Sequence, residues 1–316
     1  INLCEGAVLL QLPGLDEEEA GLLAAMREHL RAEIRSAAGA LAFDRYMEQA
    51  LYAPGLGYYV NGRRRFGAAG DFVTAPEISP VFGKCLARQV GEGLDRLGGG
   101  DVLELGAGSG RLAVDLLQEF ARRDSLPARY LILEVSPDLK ADQRDLIEAQ
   151  VPALLPRVRW LDRLPAPGFR GVVVANELLD AMPVHRFRIA DGAWQELFVV
   201  EHEGAFRDSW RVPESAGLVA ALEHIWPEPG GRPADGFHSE LNLRLRPWLS
   251  AMAATVDAGM LLLIDYGYTR REYYHPERRQ GTLICHFRHR AHADPYLLPG
   301  LQDMTANVDF TAVAEA

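Results

Sequence analysis

The stretch DVLELGAGSGRLAVDLLQEF, residues 101–120, sets Gly106, Gly108 and Gly110 directly after an apolar run and at the mouth of a helix-like pattern. A G-x-G-x-G loop there lets the backbone approach a ligand. The missing side chains permit positive φ, and N–H groups at a helix start attract a carboxylate or phosphate. A dinucleotide fingerprint would want glycine at position 111, where Arg111 stands, and this speaks against a nicotinamide cofactor. Glu104 puts a carboxylate beside the loop, which suits a ligand carrying an ammonium group better than one carrying a pyrophosphate. S-adenosylmethionine carries such an ammonium. The bland alternative is an ordinary strand-to-helix turn with Glu104 solvated.

About 25 residues further on, YLILEVSPDL closes an apolar run with Glu134, followed by Ser136 as an N-cap and Pro137 at the first helical position. An acid at this strand end can accept both hydroxyls of a ribose; alone, it reads equally well as a solvated cap residue. RVRWLDRL ends at Trp160, Leu161 and Asp162, where an adenine could lie against an apolar wall and bond through its amino group. ANELLD then brings Asn176, Glu177 and Asp180 to the end of a fourth strand. Glu177 and Asp180, three apart, can share a helical face; the alternative for the pair is stabilisation of a helix N-terminus.

The elements that must hold these residues follow from periodicity. Helices are predicted at 17–35, 41–52 and 81–97, with the turn-rich APGLGYY after the second and an irregular Gly- and Pro-rich stretch at 63–80. From 101 onward, strands at 102–105, 130–135, 157–161 and 171–175 alternate with helices at 110–122 and 137–149. Such alternation predicts an α/β fold, a Rossmann-like parallel sheet covered by helices on both faces. Residues 184–210 change to short runs separated by ADGA and HEGA, an antiparallel meander inserted into that core; helices follow at 214–224 and 240–257, and GMLLLIDYGY restores a buried strand. The predicted organisation is an N-terminal helical extension and cofactor lid (1–98), a cofactor-binding core (99–183), the inserted meander and helices (184–258), and a remainder of the core that is incomplete at its C-terminal side (259–316).

A net charge of −11 over 316 residues argues against a broad nucleic-acid-binding face, and a 48% hydrophobic composition allows a sizeable core. The three cysteines, Cys4, Cys85 and Cys285, form no CxxC pair, which points to a reducing compartment. The start does not read as a signal or transit peptide, and no apolar run approaches the roughly 20 residues of a membrane span. A cytoplasmic location is expected, or the mitochondrial matrix in a eukaryote. His286, His289 and His292 lie three apart in a basic stretch without carboxylates, so no metal site is expected.

GDFVTAPEISPVFG, VLELGAGSGRLAVDLL, ANELLDAMPVHRF, LLLIDYGY and HADPYLLPGLQDMTANVDFTA together resemble the MidA-type class I methyltransferases, from about Phe43 onward. That family includes a mitochondrial complex I assembly factor that methylates an arginine of a complex I subunit. The resemblance implies an S-adenosylmethionine-dependent protein arginine methyltransferase whose partner is a protein such as a complex I subunit. It also implies that GDFVTAPEIS folds over the cofactor, with Thr74, Pro76 and Glu77 near the methionine end; from the residues alone, Glu77 equally caps the next helix. A guanidinium stays charged at neutral pH. Its methylation needs carboxylates that pair its fork and take the departing proton, a task for Glu177, Asp180 and Glu77. A small-molecule N- or O-methyltransferase and a scaffold binding a partner through 184–210 are the competing readings.

Overall fold

Asp16 and Glu19 start the first helix, α1 (Glu17–Ser36), by mutual capping: the Glu19 N–H donates to the Asp16 carboxylate at 2.8 Å, and the Asp16 N–H to the Glu19 carboxylate at 2.9 Å. Residues 14–63 and 74–316 are described in this computed structural model. The reading of the chain's start, Cys4 included, and the first part of the lid at 64–73 lie outside the described residues. After α1 come β1 (Leu41–Ala42) and α2 (Phe43–Tyr52). The predicted helix at 41–52 starts two residues late because Leu41 and Ala42 pair antiparallel with Val199 and Phe198.

A short helix, α3 (Ala75–Ile78), precedes α4 (Pro80–Leu97). Ser79 caps α4 by accepting from the Val81 N–H at 3.2 Å, Pro80 occupies the first turn, and Gly98 ends the helix in the left-handed region. The core then runs through β2 (Asp101–Leu105), α5 (Arg111–Arg122), β3 (Tyr130–Leu133), α6 (Pro137–Gln150), β4 (Val158–Leu161) and β5 (Phe169–Asn176). Next come β6 (His185–Ala190), β7 (Ala193–His202), β8 (Ala205–Arg211), α7 (Leu218–Ile225), β9 (His238–Leu241), α8 (Leu245–Thr255) and β10 (Val256–Ile264).

Five of these strands form one parallel sheet in the order β10-β5-β2-β3-β4. Alternate residues feed its two faces. Val102, Ile132, Val172 and Val174 pack with α4, α5 and α6, whereas Leu103, Leu105, Leu131 and Val173 pack with Met252 of α8. Leu105 lies opposite Leu133 and Ala175, and Asn176 opposite Ile264. That register brings Gly106, Glu134, Glu177 and Asp265 out at one edge of the sheet, where open α/β sheets bind ligands.

A second, antiparallel sheet orders β1-β7-β6-β9, with β8 on β7. The meander at 184–210 is thus present; it shares a sheet with β1 and an apolar cluster with α1 and α2 of the N-terminal extension. Two expectations are corrected. The predicted helix at 240–257 begins instead as the end of a strand, β9, followed by α8: Glu240 and Leu241 pair antiparallel with Arg186 and His185 of β6, and Asn242 accepts from the Arg244 N–H at 2.9 Å to turn the chain. GMLLLIDYGY forms an edge strand rather than a buried one, since β10 pairs only with β5 among the described residues and Met260–Ile264 are half-buried.

The chain continues through β11 (Gly267–Tyr268), α9 (Arg270–Tyr273), β12 (Ile284–Phe287), β13 (Arg290–His292), β14 (Asp303–Thr305), β15 (Val308–Asp309) and α10 (Phe310–Glu315). Strand β12 lies between β13 and β14, and β14 packs into the cluster that holds α1 and α2. Among the described residues no helix is long and apolar enough to cross a membrane.

Candidate active site

The loop between β2 and α5 turns on three left-handed glycines, Gly106 (φ 64°), Gly108 (φ 55°) and Gly110 (φ 82°). Gly106, Ala107, Gly108 and Ser109 line a cavity at the sheet's C-terminal edge. Gly110 does not line it. A Cβ there would sit 3.1 Å from the Gln143 side chain, so this glycine lets α5 and α6 close together.

Glu104 and Glu134 both reach the cavity wall and both are buried. By strand alternation Glu104 lies on the apolar α4–α6 side of the sheet, where the Tyr130 hydroxyl donates to it at 2.7 Å. Burial pushes its carboxyl up to about 7; Tyr130 opposes the shift and Glu134 adds to it. Glu134 accepts from the N–H groups of Val135 at 2.8 Å and Ser136 at 3.0 Å, and from the Gln143 amide at 3.1 Å. Burial raises its pKa despite these bonds. Ser136 is the N-cap expected of it, accepting from the Leu139 N–H at 3.3 Å.

Gln143 went unnoticed in the sequence. Its amide nitrogen also donates to the Gly108 carbonyl at 2.9 Å, and its oxygen accepts from Trp160 Nε1 at 2.9 Å, so one buried side chain ties the glycine loop, Glu134 and β4 together. The signal was available: Leu139, Gln143 and Ile147 form the buried stripe of α6, and an amide in an apolar stripe needs partners. Leu161 and Asp162 are not brought to the cavity. Leu161 packs on the α8 side of the sheet, and Asp162, with its side chain 91% exposed, pairs with Lys140.

Thr74, Pro76 and Glu77, around α3, line the cavity against the glycine loop. Glu77 accepts a hydrogen bond from the Ser109 hydroxyl. It does not cap α4; Ser79 does.

Asn176 and Glu177 also line the cavity, whereas Asp180 is buried next to it without lining it. Glu177 takes a left-handed backbone (φ 51°), uncommon without glycine. Its N–H donates to the Ile264 carbonyl at 2.8 Å, and its carboxylate accepts from the Asn176 amide at 3.4 Å and from the Ala75 N–H of α3. The chain beyond is not a helix, so the shared helical face is corrected. Asp265, at the end of β10, gathers the N–H groups of Leu178, Leu179 and Asp180 at 3.1, 2.8 and 3.3 Å on one carboxylate oxygen, and Pro183 offers no further donor. Asp180 is 8% exposed; burial and the neighbouring Asp265, Asp303 and Glu177 push its carboxyl up to about 9. Burial likewise raises Glu177 and Asp265.

Tyr52, at the end of α2, and Tyr59, at the end of APGLGYY, complete the wall, and nothing in the sequence hinted at a function for either. The described lining includes four glutamates, Glu77, Glu104, Glu134 and Glu177, and no Lys, Arg or His. Such a lining suits a cationic ligand and opposes a pyrophosphate. Arg111, whose guanidinium lies 2.6 Å from Asp115, is not part of it. His286 and His292 lie on the β12–β13 hairpin with His289 in its turn, and no group of three or more His, Cys, Asp or Glu among the described residues is placed to hold a metal ion.

Residues 85–316 match the family model of putative S-adenosyl-L-methionine-dependent methyltransferases. The chain belongs to this family. Its cofactor is accordingly S-adenosyl-L-methionine, and the acidic, glycine-looped cavity fits the sulfonium and ammonium groups of that ligand. A crystal structure of a likely methyltransferase from Burkholderia thailandensis bound to S-adenosyl-homocysteine is 44% identical, with a TM-score of 0.90, covering 96% of this chain and 78% of that one. A native crystal structure of a superfamily member from the same organism, also 44% identical, has a TM-score of 0.87 over 96% of this chain and 77% of that one. The sheet and its flanking helices are therefore those of a class I methyltransferase. The mitochondrial protein arginine methyltransferase NDUFAF7 homolog of Drosophila melanogaster is 32% identical, covering 91% of this chain and 69% of that protein. Human NDUFAF7 is 28% identical over 90% of this chain and 67% of that protein.

Proposed function

We propose that this methyltransferase modifies an arginine side chain of a partner protein. The supporting observation is Glu177 in the cavity wall, beside which the carboxyls of Asp180, Asp265 and Asp303, none of them lining the cavity, act on one another without a basic residue among the charged groups that shift Asp180. Bringing acids together in a buried place raises their pKa values and costs stability; an entering guanidinium reverses both. The names of the relatives as protein arginine methyltransferases point the same way.

In this reading the backbone of Gly106 and Gly108 and the Glu104 carboxylate hold the methionine end of the cofactor, with Thr74, Pro76 and Glu77 over it. Glu134 exchanges its present donors for the ribose hydroxyls, and Asn176 borders the reacting centre. Leu161 and Asp162 would serve the adenine only through their strand end, since neither lines the cavity. The bound cofactor supplies an electrophilic methyl group for in-line displacement. Glu177 pairs the acceptor guanidinium and takes the proton that leaves as the N–C bond forms, and Asp180, protonated beforehand, ionises as the cation arrives. Asp265 keeps the loop of Leu178–Asp180 in place through its three N–H bonds.

The partner we assign is a respiratory complex I subunit, in keeping with the family resemblance. A reducing compartment, the bacterial cytoplasm or the mitochondrial matrix, fits the unpaired Cys85 and Cys285. The test is transfer of an isotope-labelled methyl group from S-adenosylmethionine by the purified protein to subunit peptides, read by mass spectrometry. Label on arginine supports the reading. Label on another side chain or on a small molecule alone overturns it.

A further inference from the structure

The geometry points to Tyr52 and Tyr59 as the wall that selects a planar cation, the acceptor guanidinium, over other acceptors. This inference rests on the arginine reading above and adds to it the residues that set specificity. Both tyrosines come from the N-terminal extension, outside residues 85–316 of the family match, and both line the cavity. Their rings stack, with centroids 5.4 Å apart and planes 22° from parallel.

Both hydroxyls are engaged by the protein. Tyr52 donates to the carbonyl of Ala181 at 3.0 Å, one residue past Asp180, and Tyr59 donates to Asp303 at 2.7 Å. Asp303 is itself fixed by the Met304 N–H at 2.9 Å and is buried in β14. Buried beside Asp303 and Asp180, both phenols are pushed well above their ordinary range, so they stay neutral and offer π surface rather than charge. An aromatic pair docked on the acid-bearing loop provides what a desolvated guanidinium needs besides carboxylates: a flat, electron-rich face on which its plane can stack. An ammonium gains less from such a face, and a neutral ureido group gains no cation–π attraction.

The experiment uses the protein loaded with S-adenosyl-homocysteine and two probes, Nα-acetyl-arginine amide and its neutral citrulline counterpart, titrated calorimetrically. Wild type should bind the arginine probe and discriminate against citrulline. Tyr52→Leu and Tyr59→Leu should each weaken the arginine probe at least about fivefold, with S-adenosyl-homocysteine affinity kept within about twofold, and Tyr52→Phe should recover most of the loss. If a Leu variant no longer melts cooperatively, Tyr52→Met, which fills the space without a π face, takes its place. Leu or Met variants that bind the arginine probe as wild type does overturn the inference alone. Folded variants that lose S-adenosyl-homocysteine in parallel also overturn it, by assigning the wall to the cofactor. A wild type that fails to distinguish arginine from citrulline overturns the arginine reading, and the inference with it.

Discussion

Glu134, buried, and Glu177, half-buried, are both carboxylates at strand ends, yet their partners differ in a way that suits opposite halves of the proposed reaction. Glu134 is held by two backbone N–H groups and Gln143 on the cofactor side, whereas Glu177 touches Asn176 and the start of α3 beside the acid group. Glu177→Gln should leave cofactor affinity nearly intact by calorimetry while turnover falls on the order of 100-fold, the usual loss of a positioned acid or base. Wild-type turnover in both Glu177→Gln and Asp180→Asn would remove the assignment. Glu134→Ala should weaken S-adenosylmethionine at least about tenfold, because each hydrogen bond to a charged group contributes roughly 1.5–3 kcal/mol. A cofactor analogue lacking both ribose hydroxyls should bind this variant and wild type about equally; strong discrimination would mean that Glu134 does not read the ribose. At this scale the sequence showed the acids, whose types stand out against apolar neighbours. It hid Gln143, Tyr52, Tyr59 and Asp303, whose roles depend on contacts between segments far apart in the chain.

The glycine loop was readable because its cause is local: a strand, three glycines and a helix in one stretch of twenty residues determine both conformation and place. The third glycine differs from the first two, however, and only packing reveals it. Gly110→Ala combines a left-handed backbone with contact against Gln143, so it should lower the melting temperature by several degrees, with a cost of about 1–2 kcal/mol. Gly108→Val should abolish cofactor binding at temperatures where the variant is still folded. Equal binding by Gly108→Val and wild type would take the cofactor away from the loop. The antiparallel sheet was harder to foresee. β9 was read as the start of a helix because Leu241, Leu245 and Leu249 fit a helical period, and only pairing with β6 decides against it. The Glu177–Asp180 turn was likewise fixed by Asp265, 85 residues further on.

Across the whole molecule, the acids of the cavity make stability depend on pH in a definable direction. A carboxyl whose folded pKa is raised favours folding below its unfolded pKa near 4, and that advantage disappears as pH climbs toward the folded value, about 9 for Asp180. Asp180→Asn should therefore melt higher than wild type at pH 8, by a margin that grows from about pH 5 to pH 9; a margin that stays flat over that range would mean Asp180 is ionised in the folded state. Binding of a guanidinium should narrow the difference, since it stabilises the ionised form. Methylarginine mapping by mass spectrometry in cells with and without this protein tests the central claim most directly. Loss of methylarginine at one or a few sites, restored by wild type and not by Glu177→Gln, is the predicted result; an unchanged methylarginine map, with methyl transfer found on another acceptor or nowhere, would contradict it.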